Sequence, residues 1–150
     1  KALDVFYGGE PDAETLRLLD PPPPAAGERN LNALLHQMTP EVHPQVFTYC
    51  CFPDRQLPPG LTPVGTFHEA EGLTAIVPLQ QAKVLGLPHQ FECRMVTVTV
   101  HSALDAVGFL ARISAALAAV GVACNVVSAF HHDQLFVRED RLDDAMQALK

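Results

Sequence analysis

Residues 96–130 read VTVTVHSALDAVGFLARISAALAAVGVACNVVSAF, and the hydrophobic period of this segment changes twice. Valines alternate with polar residues at its start, which predicts a half-buried strand over Cys93–Ser102. A helical period follows and predicts a helix over Ala106–Val120 that ends at Gly121. The period then returns to that of a strand, predicted over Val122–Phe130.

The residues on either side continue this mixture of strands and helices. Gln134–Val137 is the predicted partner strand of Val122–Phe130, and Asp140–Lys150 is a predicted helix. Upstream, Val46–Phe52 is rich in strand formers, and Leu31–Met38 is a short apolar segment that ends before a proline.

A hairpin followed by a helix is predicted in the first half as well. Val64–Glu69 and Leu73–Val77 are two predicted strands around a tight turn, with Gly72 at a position of positive φ. Alternatively, this turn could face the loop that precedes the helix of the second half, where a ligand site is considered below. Pro78 suits the first position of a helix through Leu85, and Gly86 suits its C-terminal cap.

The repeated order predicts an α+β fold made of two βαββαβ units with antiparallel sheets, which are joined or stacked, and helices packed on one face. Residues 31–90 are the predicted first unit and residues 91–150 the second. Residues 1–30, with the run Pro21–Pro24, are a predicted N-terminal tail or Pro-rich linker. The second unit lacks a final strand, so either an earlier strand takes its place or the chain is truncated.

Composition excludes several classes of partner. The 150 residues are 48% apolar, enough for a core, and carry a formal net charge of −7. An acidic chain without clustered Lys and Arg is a poor ligand for nucleic acid or an anionic membrane surface. The four cysteines form no CxxC pair, which predicts buried thiols in a reducing compartment and favours the cytoplasm.

The segment Val96–Phe130 resembles an ACT domain, a regulatory module of amino-acid metabolism. Gly108, the run LARI at 110–113, Leu117, and Gly121 through Asn125-Val126 match its pattern of a strand, a glycine loop, a helix and a second strand. The order of segments over residues 31–150 is similar to small bacterial proteins of two ACT-like units, and to the ACT repeats of aspartate kinases. The resemblance implies ferredoxin-like units and a ligand site beside the loop before the helix.

The loop residues have the chemistry that a free amino acid needs. A helix start offers N–H groups to a carboxylate, and Gly108 permits close approach to the backbone. Asp105 could accept hydrogen bonds from an α-ammonium group, and Asn125 can donate and accept. The alternative is that Asp105 caps the helix, assisted by Ser102, without a ligand. With the resemblance, the predicted ligand-binding set is His101, Ser102, Leu104, Asp105, Val107, Gly108, Phe109, Asn125 and Val126.

Other chemistry has little support. His101 is a plausible companion of His131 or His132 at a metal, but no HxH or HxxxH spacing occurs, and no metal site is predicted. Ser102, His101 and Asp105 are the residue types of a catalytic triad, yet sequence neighbours rarely form one and no GxSxG elbow is present. No phosphate loop occurs, so no cofactor is predicted.

The sequence therefore predicts a regulatory module that binds a free amino acid or a related small metabolite at a unit or subunit interface, and not an enzyme. A homo-oligomer, most simply a dimer, is predicted because sheet edges in such units are usually covered by pairing. The alternative is a ligand-free oligomerisation or interaction module, which could be the C-terminal part of a larger enzyme.

Overall fold

The computed structural model describes residues 27–150. Most of the predicted tail, including the proline run Pro21–Pro24, lies outside the described residues. Six strands and four helices follow one another, with a 3-10 turn at Glu139–Arg141 before the last helix. In chain order they are α1 (Leu31–Gln37), β1 (Pro40–Phe52), β2 (Gly65–Glu69), β3 (Gly72–Pro78), α2 (Leu79–Val84), β4 (Gln90–Val98), α3 (Phe109–Ala119), β5 (Cys124–Ser128), β6 (Asp133–Arg138) and α4 (Leu142–Ala148).

All six strands form one antiparallel sheet in the order β2-β3-β1-β4-β6-β5. The prediction of an α+β fold with two strand–helix units is confirmed, and the two sheets are joined edge to edge. The hairpin predicted around Gly72 is confirmed too, since β2 and β3 pair and Gly72 has a φ of 152°. Because β2 lies at one edge of the sheet and β5 at the other, this turn is far along the sheet from the second half's helix loop.

Strands β1 and β4 each serve both halves of the sheet. The second part of β1 pairs with β3 and with the start of β4, as in Phe47 opposite Cys93. Its first part pairs with the end of β4, where Pro40 is opposite Val98. This first part occupies the place of the final strand that the second half lacks, so an earlier strand fills that place. Strand β4 begins at Gln90, the residue at which the first unit is predicted to end. The division into two units at this residue stays a prediction.

The helices cover one face of the sheet, and the apolar side chains between the helices and the sheet form two clusters. The larger cluster contains buried residues of α1, β4, α3, β6 and α4, among them Leu34, Val96, Ile113 and Leu135. The smaller cluster lies under α2. On the opposite face, aromatic side chains cover one another: Phe136 packs edge-on against Phe47 and Tyr49. Placement of all helices on one face agrees with the prediction.

Several element boundaries differ from those predicted. Strand β1 begins at Pro40, six residues before the predicted Val46, because a bulge between Val42 and Val46 accommodates Pro44 within the strand. Helix α3 begins at Phe109 rather than Ala106, since Gly108 is its N-cap residue with a φ of 91°. Gly121, with a φ of 68°, follows its end as predicted.

Candidate functional site

A cavity of about 120 Å³ lies between the loop that precedes α3 and the ends of β5 and β6. Ser102, Ala103 and Leu104 line it from the loop, and Phe109 lines it from the first turn of α3. Two factors place these residues: β4 ends at Val98, and the left-handed backbone at Gly108 turns the chain into the helix.

The cavity lining contains a buried carboxylate. Asp133, the first residue of β6, is only 5% exposed and lines the cavity. The Ser102 hydroxyl donates a hydrogen bond to its Oδ2 atom at 3.3 Å. A carboxylate so placed can accept hydrogen bonds from an ammonium group, and charge–charge attraction is stronger away from water.

The cavity lining also contains the start of helix α3. Phe109, Leu110 and Ala111 all line the cavity, and no side chain caps this helix. The first intrahelical bond is donated by the Arg112 amide to the Gly108 carbonyl, so the three preceding amides have no partner within the helix. These amides, at the positive end of the helix dipole, favour a carboxylate. The cavity lining thus combines a hydrogen-bond acceptor, the Asp133 carboxylate, with the donors of a helix start.

Four of the predicted ligand residues line this cavity: Ser102, Leu104, Gly108 and Phe109. The predicted alternative, a helix cap made by Asp105 and Ser102, is wrong, because Gly108 is the N-cap residue and no side chain bonds to the first turn. Ser102 instead bonds to Asp133.

Asp105 lies outside the cavity lining, on the solvent side of the loop. Its two carboxylate oxygens accept hydrogen bonds from Nε and Nη2 of Arg29, both at 2.9 Å. The guanidinium lowers the pKa of the Asp105 carboxyl below its usual value, chiefly through this side-chain hydrogen bond. The ammonium-binding role of Asp105 stays a prediction, and the structure gives its carboxylate a partner within the chain.

Asn125, Val126 and Val107, which are also predicted ligand residues, are not part of the cavity lining. Asn125 is exposed on β5, opposite Phe136 in the register, on the face that has no helices. Val126 is half-buried and packs into the larger core cluster. Val107 is 85% exposed. Their ligand-binding roles stay predictions.

His101, considered as a companion of His131 or His132, lies beside His131, with ring centroids 4.9 Å apart. Among residues 27–150, no group of three or more His, Cys, Asp or Glu side chains is placed to hold a metal ion. The serine of the considered triad donates to Asp133, and its hydroxyl has no hydrogen bond to the His101 ring.

The thiols differ strongly in exposure. Cys50 and Cys93 are buried, whereas the neighbouring Cys51 is exposed on the other face of β1. Burial raises the pKa of Cys93 to about 12 and that of Cys124 to about 11. These two sulfurs are therefore protonated thiols at neutral pH, the form that is a poor nucleophile.

Two residues that the sequence did not single out belong to this region. Asp133 lies just before the predicted strand Gln134–Val137, and its pairing with Val98 and Ser128 in the sheet is signalled by no local pattern. Arg29 is in the predicted tail and meets Asp105 across 76 positions of sequence. No helix of the described chain is long and apolar enough to cross a membrane; the longest, α3, has 11 residues.

Comparison with known families agrees with this architecture. Two family models, each described as ACT domain, match residues 26–94 and 90–150 in tandem. The chain belongs to the ACT domain family. No curated protein sequence matches it.

Solved structures share the fold. A protein of unknown function from Vibrio cholerae, described as a possible transport protein, is 34% identical, with a TM-score of 0.71 over 79% of this chain and 92% of that one. A protein from Agobacterium tumefaciens is 17% identical, with a TM-score of 0.61 over 75% and 86%. The ligand-free regulatory subunit of aspartate kinase from Thermus thermophilus is 10% identical, with a TM-score of 0.56 over 75% and 94%.

Proposed function

We propose that this protein is a non-catalytic regulatory module that binds a free amino acid in the cavity beside α3. The observation that supports it most directly is that one cavity is lined both by a buried carboxylate and by the start of a helix. The Asp133 carboxylate receives the α-ammonium group, with Ser102 beside it. The amides of Phe109, Leu110 and Ala111 receive the α-carboxylate. This assignment moves the ammonium partner from the predicted Asp105 to Asp133.

The size of the cavity limits the ligand class. A cavity of about 150 Å³ holds a benzene-sized molecule, and this one measures about 120 Å³. Glycine, alanine and serine are therefore the ligands expected to fit without rearrangement. A ligand with a larger side chain would need Leu104, which lines the cavity, to move. Leu104 has room to do so because 68% of its surface is exposed to solvent.

Thermal unfolding against the twenty amino acids tests the proposal. A ligand at about 100 times its dissociation constant adds roughly 2.7 kcal/mol, which raises the midpoint by several degrees. Asp133→Asn should weaken binding about 10- to 100-fold, since one charge-assisted hydrogen bond is lost. Asp140→Asn is the matched control, because Asp140 is exposed and distant from the cavity lining. No shift with any amino acid at millimolar concentration would refute ligand binding and favour the ligand-free interaction module.

We also propose a homodimer formed through the β5 edge of the sheet. Strand β5 is an edge strand without a charged residue, and Val127 on it is 41% exposed. An unprotected edge of this kind favours pairing with a second copy. Ser128 and Ala129, at the end of the same strand, line the cavity. A ligand would then lie beside the subunit interface and change association, as the resemblance implied.

Sedimentation of the protein with and without the amino acid identified by unfolding tests this dimer. A single association equilibrium that Val127→Lys weakens is expected. Phe67→Lys, on the opposite edge strand β2 where Phe67 is 70% exposed, is the matched control. A monomer at all concentrations, or a dimer lost only in Phe67→Lys, would contradict the β5 interface.

The cytoplasm is the compartment that we propose for this activity. All four cysteines are free, and a reducing compartment keeps thiols in that state. Amino-acid metabolism is the setting that the family supports, and the fold is shared with an aspartate kinase regulatory subunit. Localisation by microscopy of a tagged protein would test the compartment.

A further inference from the structure

The segment Gly27–Asn30, hereafter the strap, is hydrogen-bonded to the loop that lines the cavity. The Glu28 amide donates to the His101 carbonyl at 2.8 Å, and the Ala103 amide donates to the Glu28 carbonyl at 3.0 Å. These two bonds form a parallel bridge between Glu28 and Ser102. The loop around Ser102 therefore has a backbone partner in the strap.

The strap approaches the loop closely at its first residue. A Cβ atom at Gly27 would lie 2.5 Å from the Ala103 nitrogen and 2.6 Å from the Ser102 carbonyl carbon, closer than real Cβ contacts. Only glycine permits this approach. Two residues further on, Arg29 binds both oxygens of Asp105, so backbone and side-chain contacts hold the strap on the same loop.

The strap is also continuous with the second-half core. The Asn30 side chain accepts a hydrogen bond from the Ala33 amide and so caps α1. Leu34, in that helix, is fully buried in the larger core cluster. One end of the strap is thus fixed, and its contacts with Ser102 and Ala103 are the part that can open.

The backbone of Ser102 and Ala103 meets the strap, and the same two residues line the cavity. A ligand that holds this loop in place preserves both strap hydrogen bonds. A loop that moves into or away from the cavity breaks them. Ligand binding and strap docking both depend on the backbone of Ser102 and Ala103. Each therefore shifts the equilibrium of the other.

We propose that the strap is a latch whose docking is positively coupled to occupancy of the cavity. The identity of the occupant rests on the proposed function, whereas the coupling rests on the contacts of the strap. An occupied cavity keeps the strap docked, and an empty, mobile loop releases it. The strap then transmits the state of the cavity to the residues that precede Gly27.

Trypsin cleavage after Arg29 in the full chain measures strap release, because a protease needs an extended, undocked segment. The fragment that begins at Asn30 is quantified by mass spectrometry in buffer and in saturating glycine, alanine or serine. The amino acid that binds should slow this cleavage by about fivefold or more, the lower range of coupling between linked sites. Gly27→Val, which cannot dock the strap, should weaken binding of the same amino acid by the same factor.

Ser102→Ala tests the coupling without any amino acid. Loss of the bond to Asp133 frees the loop on its cavity side, and cleavage after Arg29 should become about fivefold faster, the loss of one net hydrogen bond. Asp140→Asn, which breaks an exposed Arg–Asp pair of the same geometry at Arg138, should leave cleavage after Arg29 unchanged.

The outcomes separate the latch from the ligand. If no amino acid binds but Ser102→Ala accelerates cleavage, the proposed ligand is wrong and the latch stands. If an amino acid binds yet the cleavage rate is the same with it, without it and in Ser102→Ala, the latch is overturned and the ligand site stands. Equal affinity of wild type and Gly27→Val for that amino acid also overturns the latch.

Discussion

Two loops occupy matching places in the halves of the sheet, and only one of them leads into a helix. Residues 53–64 connect β1 to β2 and contain four prolines. Residues 99–108 connect β4 to α3 and contain none. In the first loop, Leu61 is 8% exposed and packs into the smaller core cluster, where the second half has a helix.

The difference explains why only one half has the features of an amino-acid site. Proline removes amide donors and prevents a helix from continuing. The first loop therefore presents no row of free helix amides, and its Thr62 amide is bonded to the side chain of Gln81. A shared topology does not give the two halves a shared chemistry, because the proposed ligand site depends on the helix start and on Asp133.

The largest expected difference between the halves is in core stability. Leu117→Ala in α3 should lower the free energy of unfolding by about 4 kcal/mol, because Leu117 is fully buried among neighbours that cannot collapse. Leu61→Ala should cost about 2 kcal/mol, since a loop residue can relax into the space left. Urea denaturation measures both. Equal losses would contradict the view that a helix and a loop support their clusters differently.

The next largest effect contrasts a glycine in each half. Gly72→Ala should cost about 3 kcal/mol, because its φ is 152° and a Cβ atom would lie 2.5 Å from the Phe52 carbonyl oxygen. Gly121→Ala should cost about 1 kcal/mol, since no atom lies within 4 Å of the added Cβ. Thermal and urea unfolding of both variants check this order. A reversed order would mean that the hairpin relaxes more readily than the helix end.

A smaller effect is expected at α1, which lies at the start of the predicted first unit yet packs with the second. Asn30→Ala should lower stability by about 1 kcal/mol through loss of the helix cap. Asn32→Ala, at an exposed position in the same helix, is the control and should change stability by no more than about 0.5 kcal/mol. If α1 contributes nothing to the second core, the two variants will be equally stable.

The smallest effect concerns two exposed ion pairs, Arg29–Asp105 at the loop and Arg138–Asp140 after β6. In both, a side-chain hydrogen bond from arginine lowers the carboxyl pKa in the folded state. Each pair therefore contributes stability above the ordinary carboxyl pKa of about 3.8, and this is lost as pH falls through the lowered value. Unfolding measured between pH 2 and 6 should show slightly less acid sensitivity in Asp105→Asn and Asp140→Asn. A larger change in either variant would show that its ion pair contributes more stability than a solvent-exposed pair can.

The second half was predictable because its side chains obey simple periods. Alternating valines and a helical apolar face placed β4 and α3 to within a few residues. The start of β1 was missed because Pro40 and Pro44 argue against a strand, and only pairing with the end of β4 overrides them. Tertiary pairing is not visible in local sequence.

The same distinction between local patterns and long-range contacts applies to the candidate site. Ser102, Gly108 and Phe109 were predicted because they surround a helix start, which is a local feature. Asp133 was missed because its burial depends on two neighbouring strands, and the Arg29–Asp105 pair was missed because its members are 76 positions apart. Contacts distant in sequence are therefore the part of the site that needed the structure.

The exchange of strands between the halves also orders events during synthesis. Leu34 emerges from the ribosome early, yet its cluster includes Leu149. At 5–20 residues per second, the apolar face of α1 waits roughly 6 to 23 s for its last neighbour. During that interval it is a natural binding site for a chaperone, because α1 and α4 can join in one core only after Leu149 has been synthesised.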